Sequence, residues 1–366
     1  MSTVALGLPT MSPGMGGTAT PADVPRTGSL IDRHGRVVRD LRVSVTDRCN
    51  LRCTYCMPAD GLDWLPADQA LTTAELVRLI TVAVRDLDIR TIRFTGGEPL
   101  LRRDLEELIG AVSSLPQHPE IALTTNGLGL AHRVDGLVAA GLDRINVSLD
   151  TVDRERFHEI TRRDRLDDVL AGLAAAARAG LHPIKVNAVL PTRADLARLP
   201  DLLRFCLDNS YQLRVIEQMP LDAEHRWDRD AMVTADEILA TLRDRFTLLP
   251  DPAPRGSAPA ATWIVDGHRP GDEPARVGLI ASVTRPFCGD CDRTRLTADG
   301  ALRNCLFAQS ETDLRAILRD PALHDDERDA AIAARWRANA WVKGPGHGVN
   351  GPSFHQPDRP MSAIGG

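Results

Sequence analysis

Between residues 40 and 216 the chain alternates short apolar runs with longer stretches of helical period. The runs at 41–45, 91–94, 121–124, 144–147, 185–190 and 213–216 are mostly β-branched with few polar interruptions. That pattern predicts strands buried on both faces. Thr72 or Thr73 can cap a helix over 74–86, with Glu75 or Leu76 in its first turn. Further helical patterns follow at 104–115, 133–140, 166–179 and 195–208. Gly141 and Gly180 stand just past two of them, where helices stop. Six strands alternating with helices predict a parallel α/β unit with right-handed crossovers. It is either an open doubly wound sheet or a barrel short of two of the usual eight repeats. In both, ligands gather at the carboxyl ends of the strands.

The pattern changes after one more helix at 235–246. Residues 250–259 read as a Pro/Ala/Gly-rich linker, and 262–265 and 277–282 as antiparallel strands. Ala/Arg-rich helices are expected near 313–319 and over 325–340, before a Gly/Pro-rich tail ending in Gly365-Gly366. The expected division is a disordered leader over 1–28, the α/β unit over 29–249 and an extension over 250–366.

Composition narrows the function classes. With 366 residues, 43% hydrophobic and 26% charged, the chain is globular. No apolar run approaches the ~20 residues that span a bilayer. A net charge of −6 argues against a general nucleic-acid binder, which needs a basic face. The first 28 residues lack the basic and apolar regions of an export signal, so a cytoplasmic location with reduced thiols is expected. Of the 44 cationic residues only Lys185 and Lys343 are lysines, a bias of GC-rich coding that makes each survivor worth inspecting.

Six of the seven cysteines form two triplets: Cys49, Cys53 and Cys56, then Cys288, Cys291 and Cys305. Cys206, among leucines in a helical pattern, reads as core. Three thiolates are one fewer than a structural zinc site wants, although zinc could recruit a distant histidine. A 4Fe-4S cube on three cysteines leaves one iron open for a substrate or cofactor. Around the second triplet, Ala298-Asp299-Gly300 reads as a three-residue hairpin loop with glycine in the left-handed region. Pairing Thr297 with Ala301 sets Arg293 opposite Cys305 and places Arg293, Arg295 and Cys305 on one face. A two-residue Asp-Gly loop would turn Cys305 to the other face.

The Cys-x3-Cys-x2-Cys run after the first strand, with Thr95-Gly96-Gly97-Glu98-Pro99 after the second, resembles the radical S-adenosylmethionine (SAM) superfamily. Two glycines there would let backbone approach a ligand, with carbonyls to accept from an ammonium. The resemblance is closer still to the GTP 3′,8-cyclases of molybdenum-cofactor biosynthesis. It rests on residues 41–50, 92–99, 124–127 and 146–150, the second triplet with its Arg-x-Arg, and the Gly-Gly end. It implies an incomplete (βα)6 TIM-type barrel with a C-terminal auxiliary-cluster extension. It implies two 4Fe-4S clusters, one on Cys49, Cys53 and Cys56 to bind SAM, the other on Cys288, Cys291 and Cys305 to bind guanine. The SAM contacts would be Tyr55, Gly97, Ser148 and Met219. The GTP contacts would be Arg42, Arg93, Thr124, Lys185, Arg214, Arg293, Thr294 and Arg295. Arg42, Arg293, Arg295, Gly365 and Gly366 would serve the radical step.

A triphosphate carries about four negative charges, which arginine forks bind bidentately. The implied partners are GTP, a downstream cyclic pyranopterin monophosphate synthase, a reductant and a second copy of the chain, with neither nucleic acid nor membrane. Gln218 departs from the apolar residue expected there, and Lys343 receives no role. The competing readings are a peptide-modifying radical SAM enzyme and a zinc-binding or ferredoxin-like electron carrier.

Overall fold

The structure is a computed structural model that describes residues 23–352 and 354–365. Six parallel strands form its centre: β1 (Asp40–Ser44), β2 (Thr91–Thr95), β3 (Glu120–Thr125), β4 (Arg144–Ser148), β5 (Lys185–Val189) and β6 (Gln212–Ile216). They lie side by side in chain order, with no switch point. That order is the one a partial barrel has and a doubly wound sheet lacks.

The extension continues the sheet at both edges. Strand β7 (Arg276–Ile280) adds parallel to β6 and pairs antiparallel with Ala261–Val265. Strand β8 (Arg293–Leu296) adds parallel to β1 and turns into β9 (Ala301–Arg303). Arg295 pairs with Arg303, and the Thr297 amide donates to the Ala301 carbonyl at 2.9 Å. This is the three-residue loop, with Gly300 at φ +84°.

The strands are not apolar on both faces. Leu41, Val43, Ile92, Phe94, Ile145 and Val147 face the covering helices and are fully buried. The residues between them, such as Arg42, Arg93, Asn146 and Arg214, face a central cavity. The expectation of few polar interruptions is therefore corrected: period-two polarity marks an inner wall that meets ligand rather than core.

Helix α1 (Thr73–Leu87) starts in a capping box, in which the Thr72 hydroxyl accepts from the Glu75 amide and the Glu75 carboxylate accepts from the Thr72 amide. Helices α2 (Leu105–Ser113), α3 (Leu130–Ala139), α5 (Leu166–Arg178) and α6 (Leu199–Asp208) match the expected crossovers. Near α6 the helix predicted over 195–208 divides, because Pro200 has no amide to continue a ladder and a 3-10 stretch, Arg193–Arg198, precedes it. Helix α4 (Arg154–Thr161) escapes the sequence pattern, since only Phe157 and Ile160 are apolar among charged neighbours. The expected helix at 313–319 is one turn, Arg315–Leu318.

Helices α7 (Ala235–Arg243) and α8 (Asp325–Trp341) complete the cover, with Trp336 wholly buried. The leader falls mainly in residues outside the described ones. Asp23 and Thr27, near its end, are held by α8 through the Trp341 indole N–H and the Arg337 guanidinium. No described helix is long and apolar enough to cross a membrane.

Candidate active site

A cavity of roughly 740 Å³ fills the barrel mouth. The strands deliver its wall by alternation: Arg42 from β1, Arg93 from β2, Thr124 from β3, Ser148 from β4, Lys185 from β5 and Arg214 from β6. Strand β8 adds Arg293 and Arg295, on the same face as Cys305, as the hairpin register requires. Tyr55 and Met219 line the same space. Gln218 also faces it, so its polarity causes no packing conflict.

Thr294 is the exception among the expected contacts. Lying between two inward arginines, its side chain points to the opposite face, where the Trp336 indole N–H donates to it at 3.3 Å. Its side chain therefore does not line the cavity as those of Arg293 and Arg295 do.

The sequence reading also missed cavity residues. Arg144 shares the inner face of β4 with Asn146 and Ser148, so counting by two from Ser148 would have found it. The segment read as a mere linker lays Arg255 and Ser257 on the cavity, and the Ser257 carbonyl accepts from Arg293 at 2.6 Å.

Eight cationic side chains line the cavity against four carboxylates, Asp40, Asp150, Glu217 and Asp292. Glu217 is spent on the amides of Ala235, Val283 and Thr284. Asp150 accepts from the Tyr55 hydroxyl at 2.8 Å and the Val189 amide at 2.8 Å. Burial, reinforced by neighbouring cations, depresses the wall groups: Arg295 to about 10, Arg214 to about 9 beside Arg93, and Lys185 to about 8 beside Arg214. Arg42 is lowered by burial and then by Arg295. Buried Nε atoms of Arg42, Arg93 and Arg144 find no hydrogen-bond partner among the described residues. Glu120 and Asp292 pair with Arg144 and Arg293, but crowded like charges with these donors idle remain costly until an anion enters.

The first cysteine triplet lines a smaller cavity with Gly97, Thr124 and Ser148. Its loop is held by the unforeseen α4, whose Thr161 and Ile160 carbonyls accept from the amides of Arg52 and Thr54. Gly97 has a packing role that the sequence did not disclose. A Cβ there would lie 2.3 Å from the Arg48 carbonyl oxygen, so the glycines let the two loops touch. Glu98 braces the same corner, accepting from Leu100, Thr125 and Asn126, and burial pushes it up to about 7. Gly97→Ala should therefore displace the cysteine loop. The expected result is loss of roughly half the iron bound after reconstitution, read by iron analysis, with the second site still loaded.

All six triplet thiols are free. Burial pushes Cys56 up to about 12, and burial, then the Asp150 carboxylate and the neighbouring thiols, hold Cys53 well above the ordinary thiol range. Burial also raises Cys288, with Cys305 and Cys291 contributing. At Cys291 burial pushes up, but the Lys343 ammonium and the Arg293 guanidinium outweigh it and the net shift is downward. Each triplet thus gathers three mutually interacting sulfur donors beside a cavity, the donor set a three-cysteine cube uses.

Gly365 lies against the ends of β1 and β2, and its carbonyl accepts from Arg295. Gly366 lies outside the described residues.

Comparison with known proteins follows this division. The radical SAM superfamily model matches residues 43–206, and the Molybdenum Cofactor Synthesis C model matches residues 211–349. The chain is 59% identical over 367 residues to a GTP 3′,8-cyclase of Mycobacterium marinum, covering 100% of both. It is 59% identical over 366 residues to GTP 3′,8-cyclase 2 of Mycobacterium tuberculosis, again covering 100% of both. Streptococcus suis SuiB bound to S-adenosylmethionine shares the fold, with TM-score 0.55 and 13% identity over 90% of this chain and 76% of that one.

Proposed function

The chain belongs to the GTP 3′,8-cyclase family of radical SAM enzymes, and from that membership we propose how its own residues carry out the reaction. The enzyme converts GTP to 3′,8-cyclo-7,8-dihydroguanosine 5′-triphosphate, the first step of molybdenum-cofactor biosynthesis. Its two 4Fe-4S clusters would sit on Cys49, Cys53 and Cys56 and on Cys288, Cys291 and Cys305. Held by those cysteines, the first cluster would supply the electron for reductive cleavage of SAM, and so the radical that takes the 3′ hydrogen of GTP, and the second would supply an iron able to bind guanine.

The observation that carries the substrate assignment is the cationic wall. Arg42, Arg93, Arg144, Lys185 and Arg214 take the triphosphate, whose charge satisfies donors that the protein leaves idle. The amide oxygens of Asn187 and Asn146 hold the Arg214 guanidinium, at 3.0 and 2.8 Å, so that its fork is set before substrate arrives. Tyr55, Ser148, Met219 and the Gly97 loop hold SAM at the boundary of the two cavities. Arg293 and Arg295 orient the nucleotide beside the second cluster site, and Gly365 positions Arg295. The partly enclosed mouth, with Ser257 and Phe287 on its rim, restricts water from the reacting carbons. The product would pass to a cyclic pyranopterin monophosphate synthase, and an external reductant would feed the first cluster.

Arg293→Lys and Arg295→Lys keep the charge and lose the planar fork. Each should lower nucleotide turnover at least tenfold with iron content unchanged, as measured by product formation against iron and sulfide analysis. Full turnover in both would take the hairpin face out of the site. The overall reading is tested by anaerobic incubation with SAM, GTP and dithionite. Cyclised nucleotide with about eight irons per chain supports it, and a protein holding only zinc sinks it.

A further inference from the structure

We infer that Lys343 is a positioning residue of the second cysteine site, placing a positive charge without a carboxylate partner on the Cys291 sulfur, which raises the reduction potential of the cluster there. The inference rests on the cluster assignment proposed above.

Lys343 is one of two lysines in a chain whose other 42 of 44 cations are arginine. It is buried, at 3% exposure. Its ammonium donates to the Arg293 carbonyl at 2.8 Å, the Cys291 carbonyl at 3.2 Å and the Cys291 sulfur at 3.3 Å. An ammonium has three N–H donors, so two anchor the head to backbone and the third is committed to sulfur. Lys343 has no ion pair with a carboxylate among the described residues. A buried ammonium without an acid partner is expensive, and an anionic sulfur ligand supplies the missing counter-charge.

The surrounding chain is built to keep it there. The Arg36 guanidinium, braced by Asp32, donates to the carbonyls of Cys288 at 2.6 Å, Gly344 at 2.5 Å and Pro345 at 3.2 Å. It thereby ties the residues after Lys343 to the second triplet. Among the described residues no cation donates to a sulfur of the first triplet; the Arg52 guanidinium there donates to the carbonyls of Cys49 and Leu51 instead. The hydrogen bonds that triplet's sulfurs accept are neutral, such as that of the Asn126 amide, 3.8 Å from Cys49, and that of the Tyr55 side chain at Cys53. The two sites therefore differ in the charge beside a ligand sulfur, one of the levers that set cluster potential. A positive charge stabilises the more negative, reduced state, so its removal lowers the potential.

The test uses the full-length protein, reconstituted anaerobically, with each cluster followed by redox titration under EPR. Lys343→Gln keeps N–H donors for the two carbonyls and removes the charge, while Lys343→Arg restores the charge. The expected result for Lys343→Gln is full iron content and a second-cluster equilibrium shifted about tenfold toward oxidation, ~59 mV for one electron. The first cluster should not move, and Lys343→Arg should recover most of the shift. An unchanged second potential, a shift shared by both clusters, or loss of the second cluster's iron from both variants would overturn the inference. A wild-type protein with no second cluster signal would instead remove the cluster assignment before Lys343 is altered.

Discussion

Cys53→Ala is expected to abolish SAM cleavage and with it all nucleotide product. Cys53 lies in the middle of the first triplet, its loop pinned by the α4 carbonyls and by the Arg162 guanidinium on the carbonyls of Arg52 and Met57. Few other donors can take its place: Asp150 and Glu98, the nearby acids, are committed to Tyr55 and to the Thr125–Asn126 turn. Removing one of three thiolates therefore leaves the cube two ligands short of four. Cys291→Ala strikes the other end of the cavity. It should leave 5′-deoxyadenosine formation measurable while cyclised nucleotide falls below detection, because the nucleotide loses its seat and SAM does not. Chromatography of both products from one anaerobic reaction separates the two variants. Equal loss of both activities in each would contradict the division of labour.

Gly365→Ala should have the next largest effect. The residue sits at φ +84°, where a side chain is strained, and an added Cβ would lie 2.7 Å from the Thr95 methyl and 3.2 Å from the Ser44 Cβ. Thr95 and Ser44 end β2 and β1, so the wall cannot retreat without moving Arg42 and Arg93. The tail must move instead, and it takes the carbonyl that holds Arg295 with it. A misplacement of about 1 Å can cost roughly 100-fold. Cyclised nucleotide should fall by about that factor, with both clusters and SAM binding retained. Wild-type yield would show that the glycine does not set the geometry.

The sequence disclosed the strands and the cysteines because both follow local rules, whereas the choice of a partial barrel over a doubly wound sheet came from the family resemblance. Strand positions follow apolar runs, and cysteine spacing needs no tertiary information. The hairpin at Ala298-Asp299-Gly300 was legible for the same reason, since a turn type fixes register and register fixes face. The same rule turns the Thr294 side chain to the face opposite Arg293 and Arg295. Arg144, by contrast, was hidden: in a chain with this many arginines, one more at a strand start carries no signal until its partners Asn146 and Ser148 are seen to share its face. Helix α4 was missed because its burial is paid by two apolar residues and its work is done by carbonyls, which no side-chain pattern reports. The role of Lys343 depends on residues 52 positions apart meeting at one sulfur, and only the fold brings them together.

The central claim is that one cavity holds GTP with its 3′ hydrogen facing the SAM site. It is tested most directly by anaerobic turnover of GTP deuterated at the 3′ carbon, followed by mass analysis of the 5′-deoxyadenosine. Transfer of one deuterium into 5′-deoxyadenosine, together with cyclised nucleotide, is the result this arrangement predicts. Unlabelled 5′-deoxyadenosine formed alongside intact GTP would contradict it.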